Sequence, residues 1–174
     1  MKQPCWIKAA LGAALLTLGC QAANAEDFYL SMGVGRVRAS GMSNSSVSVQ
    51  MVAGMPIDYD MSVEMQHVEV QDVNTWFNGQ SNTTPRRIMD SHTGVAGVWF
   101  MRPNPGVRFR ARMGLGTTKQ VGSDNSIGIR RILELEPGLG LDVLLRPNLQ
   151  VGLEVNHFVR SEVNVLALTG HWSF

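Results

Sequence analysis

Hydrophobic and polar residues alternate along most of the chain with a period of two. The alternation is clearest in four segments: 28–36, 46–54, 59–70 and 107–117. In the last of these, the polar positions include three arginines, Arg108, Arg110 and Arg112. A period of two places successive side chains on opposite faces of a β-strand and does not fit a helix. Each segment is therefore predicted to be a strand with one apolar and one polar face.

Four further segments alternate less regularly: 93–101, 129–145, 149–159 and 163–174. Leucines occupy one face of the segment 129–145, and Glu134, Glu136 and Asp142 occupy the other. Glu154 lies on the polar face of the next segment, and Glu64 on that of the segment 59–70. The sequence therefore predicts eight strands and an all-β fold.

The predicted connections alternate between short and long. Short turns rich in Pro and Asn follow the second, fourth and sixth strands: Met55–Asp58, Pro103–Gly106 and Arg146–Asn148. Longer polar connections follow the first, third and fifth strands: 37–45, 71–92 and 119–128. Such asymmetry is typical of outer-membrane barrels. We therefore predict an eight-stranded antiparallel transmembrane β-barrel with an up-and-down meander.

The polar faces of these strands predict a charged interior. In a transmembrane barrel the apolar face meets lipid, and the polar face points into the lumen. The charges that would share the lumen are Arg108, Arg110, Arg112, Glu64, Glu134, Glu136 and Glu154. Eight strands leave room only for side chains, and unpaired charges there would be very costly. We expect a salt-bridged core and no open pore. A soluble lipocalin-like barrel or sandwich would reverse the two faces, and one strand alone does not distinguish these folds.

Residues 1–25 have the pattern of a secretory signal peptide. Lys2 and Lys8 give a positive n-region, residues 9–19 are apolar, and Ala23-Asn24-Ala25 is a small-x-small cleavage signal. The apolar run is too short to be a spanning helix. The predicted domains are a signal peptide, 1–25, and an outer-membrane β-barrel domain, 26–174.

Cysteine content and charge exclude several classes of site. Cys5 and Cys20 both lie in the leader, so the exported domain is expected to have no disulfide and no thiolate ligand. Leu18-Gly19-Cys20 resembles a lipobox, which leaves lipidation of Cys20 as an alternative. Without the two leader lysines, 13 of the 15 Lys and Arg remain against 14 Asp and Glu, a net charge of −1. This balance gives no indication of nucleic-acid binding, and no His or carboxylate spacing indicates a metal or cofactor.

The last strand ends in alternating apolar residues and a terminal aromatic. Gly170, Trp172 and Phe174 share one face, which resembles the assembly signal of outer-membrane barrel proteins. The resemblance implies the barrel-assembly machinery as a partner. It also implies the outer membrane of a Gram-negative bacterium as the location, with outer-membrane lipid and lipopolysaccharide around the barrel. We expect a monomer.

The stretch from Pro137 to Val155 resembles the small outer-membrane barrel family of the OmpA and OmpX type. It contains a glycine-rich strand (137–141), a turn at 146–149 and a strand with an inward Glu at 152–155. The resemblance covers the last third of the chain, and the rest only in layout. It implies an outer-membrane barrel domain. Pro137 departs from the family pattern and predicts a bulge, because proline cannot donate to a strand ladder.

The leading function hypothesis is a structural or surface-interaction barrel with an adhesin-like role. Trp76 and Phe77 lie in the polar connection 71–92 and are candidates for contact with a host surface molecule or a lipopolysaccharide sugar. The alternative for both residues is a place in the interfacial aromatic belt.

Two other hypotheses are a narrow channel and a lipid-modifying enzyme. The charged lumen argues against the channel. Lipid A deacylases of the PagL type are similar barrels with a His and a Ser two residues apart on the outer wall. By parity His157 and Ser161 both face lipid, but Val159 occupies the position two residues after His157, so the motif is broken and Ser161 lies at the wrong spacing. We therefore predict no catalytic residues and no enzymatic activity.

Overall fold

A computed structural model describes residues 28–40, 45–71, 87–122 and 128–174. These residues form eight strands: β1 (Tyr29–Ala39), β2 (Ser46–Asp58), β3 (Met61–Gln71), β4 (Arg87–Asn104), β5 (Val107–Gly122), β6 (Ile129–Arg146), β7 (Leu149–Phe158) and β8 (Val163–Ser173). Each strand pairs antiparallel with the next, and β8 pairs with β1 to close the barrel. The predicted eight-stranded meander is confirmed. The predicted signal peptide, Trp76 and Phe77 lie outside the described residues.

The outer wall of the barrel carries a wide band of exposed apolar side chains, here called the apolar belt. It includes Met32, Met65, Leu139 and Leu168, each between 45% and 68% exposed. Along β8, the eight-residue interval from Leu166 to Phe174 spans about 20 Å of barrel height, at ~3.3 Å per residue and a tilt of ~40°. A band of this kind is unfavourable in water and fits the hydrocarbon region of a membrane. The soluble alternative with reversed faces is therefore wrong for this part of the barrel. In the described part of the chain, no helix has the length and hydropathy of a membrane span.

The polarity of the two faces reverses toward the end of the barrel where the long connections lie. In β1, Val37 and Ala39 are buried inside, whereas Arg36 and Arg38 are exposed on the outer wall. β3 shows the same reversal, because its inward residues near that end are Val68 and Val70. The barrel therefore continues past the apolar belt as a section with an apolar interior and a polar exterior.

This reversal explains why several strands are longer than predicted. The sequence placed the end of β1 at residue 36, the start of β4 at 93 and the end of β5 at 117. The structure extends these strands to Ala39, Arg87 and Gly122. Backbone pairing does not depend on which face is apolar, so the ladders continue where the simple pattern of apolar outside and polar inside ends.

The inward residues of this upper section form one apolar inner cluster at the end of the lumen. Its members are Val37, Ala39, Val68, Val70, Ile88, Met89, Phe158, Val163, Val165 and Ala167. The ring of Phe158 packs edge-on against His92, with 4.8 Å between centroids, where the cluster meets the polar part of the lumen. This cluster was not predicted from the sequence.

The position of the first predicted turn is corrected. The segment Met55–Asp58 belongs to β2, and the chain turns at Tyr59 and Asp60 after a register shift between Pro56 and Asp58. Within the predicted turns Pro103–Gly106 and Arg146–Asn148, the chain turns at Pro105-Gly106 and Pro147-Asn148, and Pro103, Asn104 and Arg146 belong to the preceding strands.

The predicted bulge at Pro137 is wrong. Pro137 pairs with Met113 of β5 without a register shift. Two residues earlier, the carbonyl of Leu135 accepts a hydrogen bond from the Val159 N–H on the β7 side, and Pro137 faces the same neighbour. The β6–β7 ladder is continuous from Gly138 onward, and the Leu135–Val159 bond keeps the same register, so Pro137 leaves a gap in the ladder without a bulge.

Candidate functional site

The polar part of the lumen holds a set of buried ionised groups, here called the arginine network. Its members are Arg108, Arg110, Arg112, Glu64, Glu136, Asp142 and Glu154. Alternate residues of a strand share one face, so β5 supplies the three guanidinium groups as a column. The other side chains come from β3, β6 and β7. All except Arg108 are at most 4% exposed.

Arg110 lies at the centre of the arginine network. Its Nη2 donates to Glu64 Oε1 at 2.6 Å, and its Nη1 lies 3.3 Å from Glu154 Oε2. Nη1 also lies 2.9 Å from His171 Nε2. One guanidinium therefore joins β5 to strands on the other side of the lumen.

Arg112 occupies the next inward position of β5, closer to the apolar inner cluster. Its Nη1 donates to Glu154 Oε1 at 2.8 Å, and its Nη2 lies 3.8 Å from Glu136 Oε1. Asn156 Nδ2 also donates to Glu154 Oε1, at 2.7 Å. A Cβ added at Gly138 would overlap Asn156, so the glycine makes room for these side chains.

Arg108 is the least buried arginine of the set and lies nearest the opposite end of the barrel. Its Nε and Nη2 both donate to Asp142 Oδ2, at 3.0 and 2.8 Å. The other carboxylate oxygen of Asp142 lies 3.3 Å from His171 Nε2. Asp142 therefore links the column of arginines to β8.

Neutral side chains complete the contacts of the carboxylates. Tyr29 donates its hydroxyl hydrogen to Glu64 Oε1 at 2.5 Å, and its ring occupies the space over Gly54. Glu136 accepts from Gln66 Nε2 at 2.9 Å and lies 3.3 Å from His92 Nε2. With these residues, the network and its partners include every strand except β2.

Of the seven predicted lumen charges, the structure brings six together and separates one. Glu134 is fully buried, as predicted, but its carboxylate binds the β7–β8 turn. It accepts hydrogen bonds from the backbone N–H groups of Arg160 and Ser161 and from the Ser161 hydroxyl, at 2.5, 3.2 and 2.5 Å. Its role is that of a turn anchor, because it lies eight residues nearer the loop end of β6 than Asp142.

Asp142, Tyr29, His92 and His171 belong to the site but were not among the predicted residues. The parity of Asp142 with Glu134 and Glu136 already indicated an inward side chain. Tyr29 and the two histidines also sit at inward positions of their strands. The sequence signal that could have identified these four residues is a polar side chain at an inward position of a predicted strand.

The enzymatic alternative required His157 and Ser161 to act together on the outer wall. His157 Nδ1 instead lies 2.9 Å from Asn164 Oδ1 on the outside. Ser161 is in the turn, donates to Glu134 and accepts from Gln120 Nε2 at 3.1 Å. The prediction that Ser161 faces lipid is therefore wrong, because strand parity does not continue through a turn. Among the described residues, no group of three His, Cys, Asp or Glu could hold a metal ion.

The predicted assembly signal lies at the seam that closes the barrel. Trp172 and Phe174 are 53% and 69% exposed on the outer wall, and Gly170 shares their face. Trp172 pairs with Leu30 of β1 and Leu149 of β7. The Phe174 N–H donates to the carbonyl of Phe28 at 3.0 Å, and the two rings lie 6.4 Å apart.

The chain resembles several solved barrels in structure. Neisserial surface protein A is 18% identical, with 84% of this chain and 97% of that chain covered and a TM-score of 0.57. The N-terminal β-barrel domain of Pseudomonas aeruginosa OprF is 13% identical, with coverages of 84% and 97% and a TM-score of 0.56. Ail, the attachment invasion locus protein of Yersinia pestis, is 16% identical, with coverages of 84% and 95% and a TM-score of 0.54. The sequence matches no protein-family model and no curated protein. The fold is that of the small eight-stranded outer-membrane barrels, as the resemblance to the OmpA and OmpX type implied.

Replacing Arg112 by Ala should strongly destabilise the barrel. The change leaves Glu154 and Glu136 buried without this partner, and breaking a buried pair costs about 3–5 kcal/mol. The measurement is the free energy of unfolding by urea in phospholipid vesicles. Arg102→Ala is the matched control, since Arg102 forms an exposed pair with Asp60 at 3.6 Å and should lose at most about 1 kcal/mol. If both variants had the same free energy of unfolding, the ion pairs of Arg112 would contribute no more to stability than an exposed pair.

Deleting Phe174 should impair assembly in cells more than intrinsic stability. The residue adds one ring contact and one backbone bond at the end of a strand, so the folded barrel should lose little. We expect less heat-modifiable protein in cell envelopes and nearly normal refolding into detergent. Phe109→Ala is the control, because Phe109 is an outward aromatic of β5, 47% exposed and distant from the C-terminus in sequence. Loss of folded protein in both settings, or in neither, would contradict an assembly signal.

Proposed function

We propose that this protein is a closed barrel of the Gram-negative outer membrane with a structural or surface-interaction role. The observation that carries the proposal is the filled lumen. The arginine network occupies its middle, and the apolar inner cluster occupies the end toward the long connections. An eight-stranded barrel has no spare width beside such side chains.

The two layers would oppose permeation for different reasons. An ion that crosses the arginine network would have to separate guanidinium–carboxylate pairs that are nearly free of water contact. The apolar inner cluster offers an ion no polar ligand in exchange for its hydration shell. The narrow-channel alternative is therefore disfavoured.

The surface role rests on the connections at the polar end of the barrel. Ail, one of the structural neighbours, has been crystallised with the heparin analogue sucrose octasulfate. In this chain, exposed cations lie at the end of the barrel with the long connections, including Arg38, Arg131 and Arg160. We propose that this end contacts an anionic sugar or host surface molecule, with Trp76 and Phe77 as the aromatic contacts.

The remaining parts of the proposal concern partners and catalysis. We propose that the C-terminal strand is recognised by the barrel-assembly machinery, that the barrel is a monomer in outer-membrane lipid, and that a signal peptide (1–25) precedes the barrel domain (26–174). We also propose that the barrel is not an enzyme. The separation of His157 from Ser161 supports this last point, because their side chains bind different partners.

Purified barrel in planar lipid bilayers should give no discrete conductance steps, because both lumen layers are closed. A porin reconstituted in the same way gives the positive control. The Phe109→Ala barrel should be equally silent, since that side chain lies outside the lumen. Reproducible steps from the folded, heat-modifiable protein would establish a channel and overturn the closed-barrel proposal.

Cells that display the protein should lose adhesion to sulfated glycan surfaces when Trp76 and Phe77 are both replaced by Ala. The physical reason is the loss of two large contact surfaces from an external connection. Trp99→Ala, an aromatic change on the apolar belt, is the control for adhesion, and unchanged adhesion of the double variant would exclude the two aromatics.

Proteinase K added to intact cells should cut within residues 72–86 and spare the Pro105-Gly106 turn. Cleavage at the turn would instead show that the barrel has the reverse orientation.

A further inference from the structure

A groove crosses the outer wall of the barrel where the apolar belt ends. It is an open, shallow groove of about 530 Å³ on β1, β2, β7 and β8. Its apolar lining comprises Val34, Val47, Leu153, Leu166 and Leu168. All five side chains are more than 49% exposed on the outer wall.

The upper margin of the groove is polar and cationic. Arg36 lines it and donates from Nε to the Ser45 hydroxyl at 2.9 Å. Arg38 lies two residues further along the same face of β1, about 7 Å away. Within the described ranges, neither arginine has a carboxylate in salt-bridge distance, although Glu162 is exposed in the nearby β7–β8 turn. Two guanidinium groups at this level therefore remain available to an anion.

The charge at this end of the barrel differs from that at the other end. Among the described residues, six exposed or part-exposed cations lie near the long connections: Arg36, Arg38, Lys119, Arg130, Arg131 and Arg160. Three carboxylates accompany them, Glu69, Asp90 and Glu162. At the short-turn end, Arg102 and Arg146 are balanced by Asp58 and Asp60. The excess of cations lies where an anionic leaflet would meet the wall.

We infer that the groove binds lipid A, the phosphorylated and acylated glycolipid of lipopolysaccharide, with one acyl chain in the groove and a phosphate at Arg36 and Arg38. The planar guanidinium fork matches phosphate oxygens, and the apolar lining matches the chain below them. The inference rests on the proposed function, because it requires the long connections to face the outer leaflet.

Charge also decides against the other occupants. A second copy that docks symmetrically would bring the same patch against itself and would place the arginines of both copies together. Phosphatidylethanolamine carries a cation beside its phosphate, which weakens its attraction to two arginines. A doubly phosphorylated glycolipid satisfies both the cations and the apolar floor.

The test is native mass spectrometry of the folded barrel released from detergent in the presence of diphosphoryl lipid A. Replacing both arginines by glutamine, Arg36→Gln with Arg38→Gln, should weaken binding by about ten-fold. Replacing both by lysine should restore part of it. The matched control is Arg130→Gln with Arg131→Gln, which removes the same charge elsewhere on the rim and should change binding little.

A second pair of variants tests the acyl contact. Val34→Trp should fill the groove and lower retention of lipid A. Val95→Trp should have little effect, because Val95 is similarly exposed, at 53%, on β4. Equal loss from both arginine pairs would mean diffuse attraction to the rim and would overturn the site. Equal retention of phosphatidylethanolamine, or a dimer that Val34→Trp abolishes, would also overturn it.

These outcomes are separable from those of the proposed function. Every variant is first checked for heat-modifiable migration, which reports a folded barrel. Failure of lipid A selectivity in a folded, non-conducting barrel removes the groove inference alone. Conductance steps, or protein absent from the outer-membrane fraction, would instead remove the proposed function.

Discussion

The contact between Arg110 and the carboxylates around it is the constraint on which the rest of the structure depends. A guanidinium that is 3% exposed is tolerable only when its charge is balanced nearby. Glu64, Glu154 and Asp142 provide that balance from three different strands. This balance requires the sheet to curl, because β3 and β7 lie on different sides of β5 and their carboxylates reach Arg110 across the lumen. Curling of the sheet and neutralisation of the lumen charges therefore depend on each other.

The same barrel wall meets two different surroundings along its length. Around the apolar belt, lipid is outside and the charged network is inside, so the protein is polar within. Beyond the belt, water is outside, and the wall encloses Val37, Val165 and Phe158 as a soluble barrel would. Both arrangements use the same strands without interruption. The chain changes from one to the other by shifting the phase of its apolar alternation while the backbone register is unchanged.

Much of this architecture could be predicted from alternation alone. The eight strands, the outward face of β8 and the inward column of β5 follow directly from a period of two. The strand ends could not be predicted, because the rule that apolar residues face lipid fails at Arg36 and Val37. Ser161 was misplaced because parity does not continue through a turn.

Interactions between distant strands could not be predicted from the sequence pattern either. Glu134 has the same parity as Glu136, yet one anchors a turn and the other contacts Arg112. Their positions along the barrel axis decide the difference, and that position depends on the register of β5, β6 and β7. Pro137 was expected to cause a bulge because it lacks a donor, whereas the structure has a gap in the β6–β7 ladder and keeps the register.

The unequal lengths of the strands give the barrel a slanted rim. β4 continues for six residues beyond the outward Thr93, whereas β8 begins one residue before the outward Asn164. Six residues raise the wall by roughly 15 Å at ~3.3 Å per residue and a tilt of ~40°. The wall at β4 therefore rises higher than the wall at β8. A large partner that approaches from outside would meet the barrel from that side first, and the low side near β8 would stay within reach of the surrounding lipids.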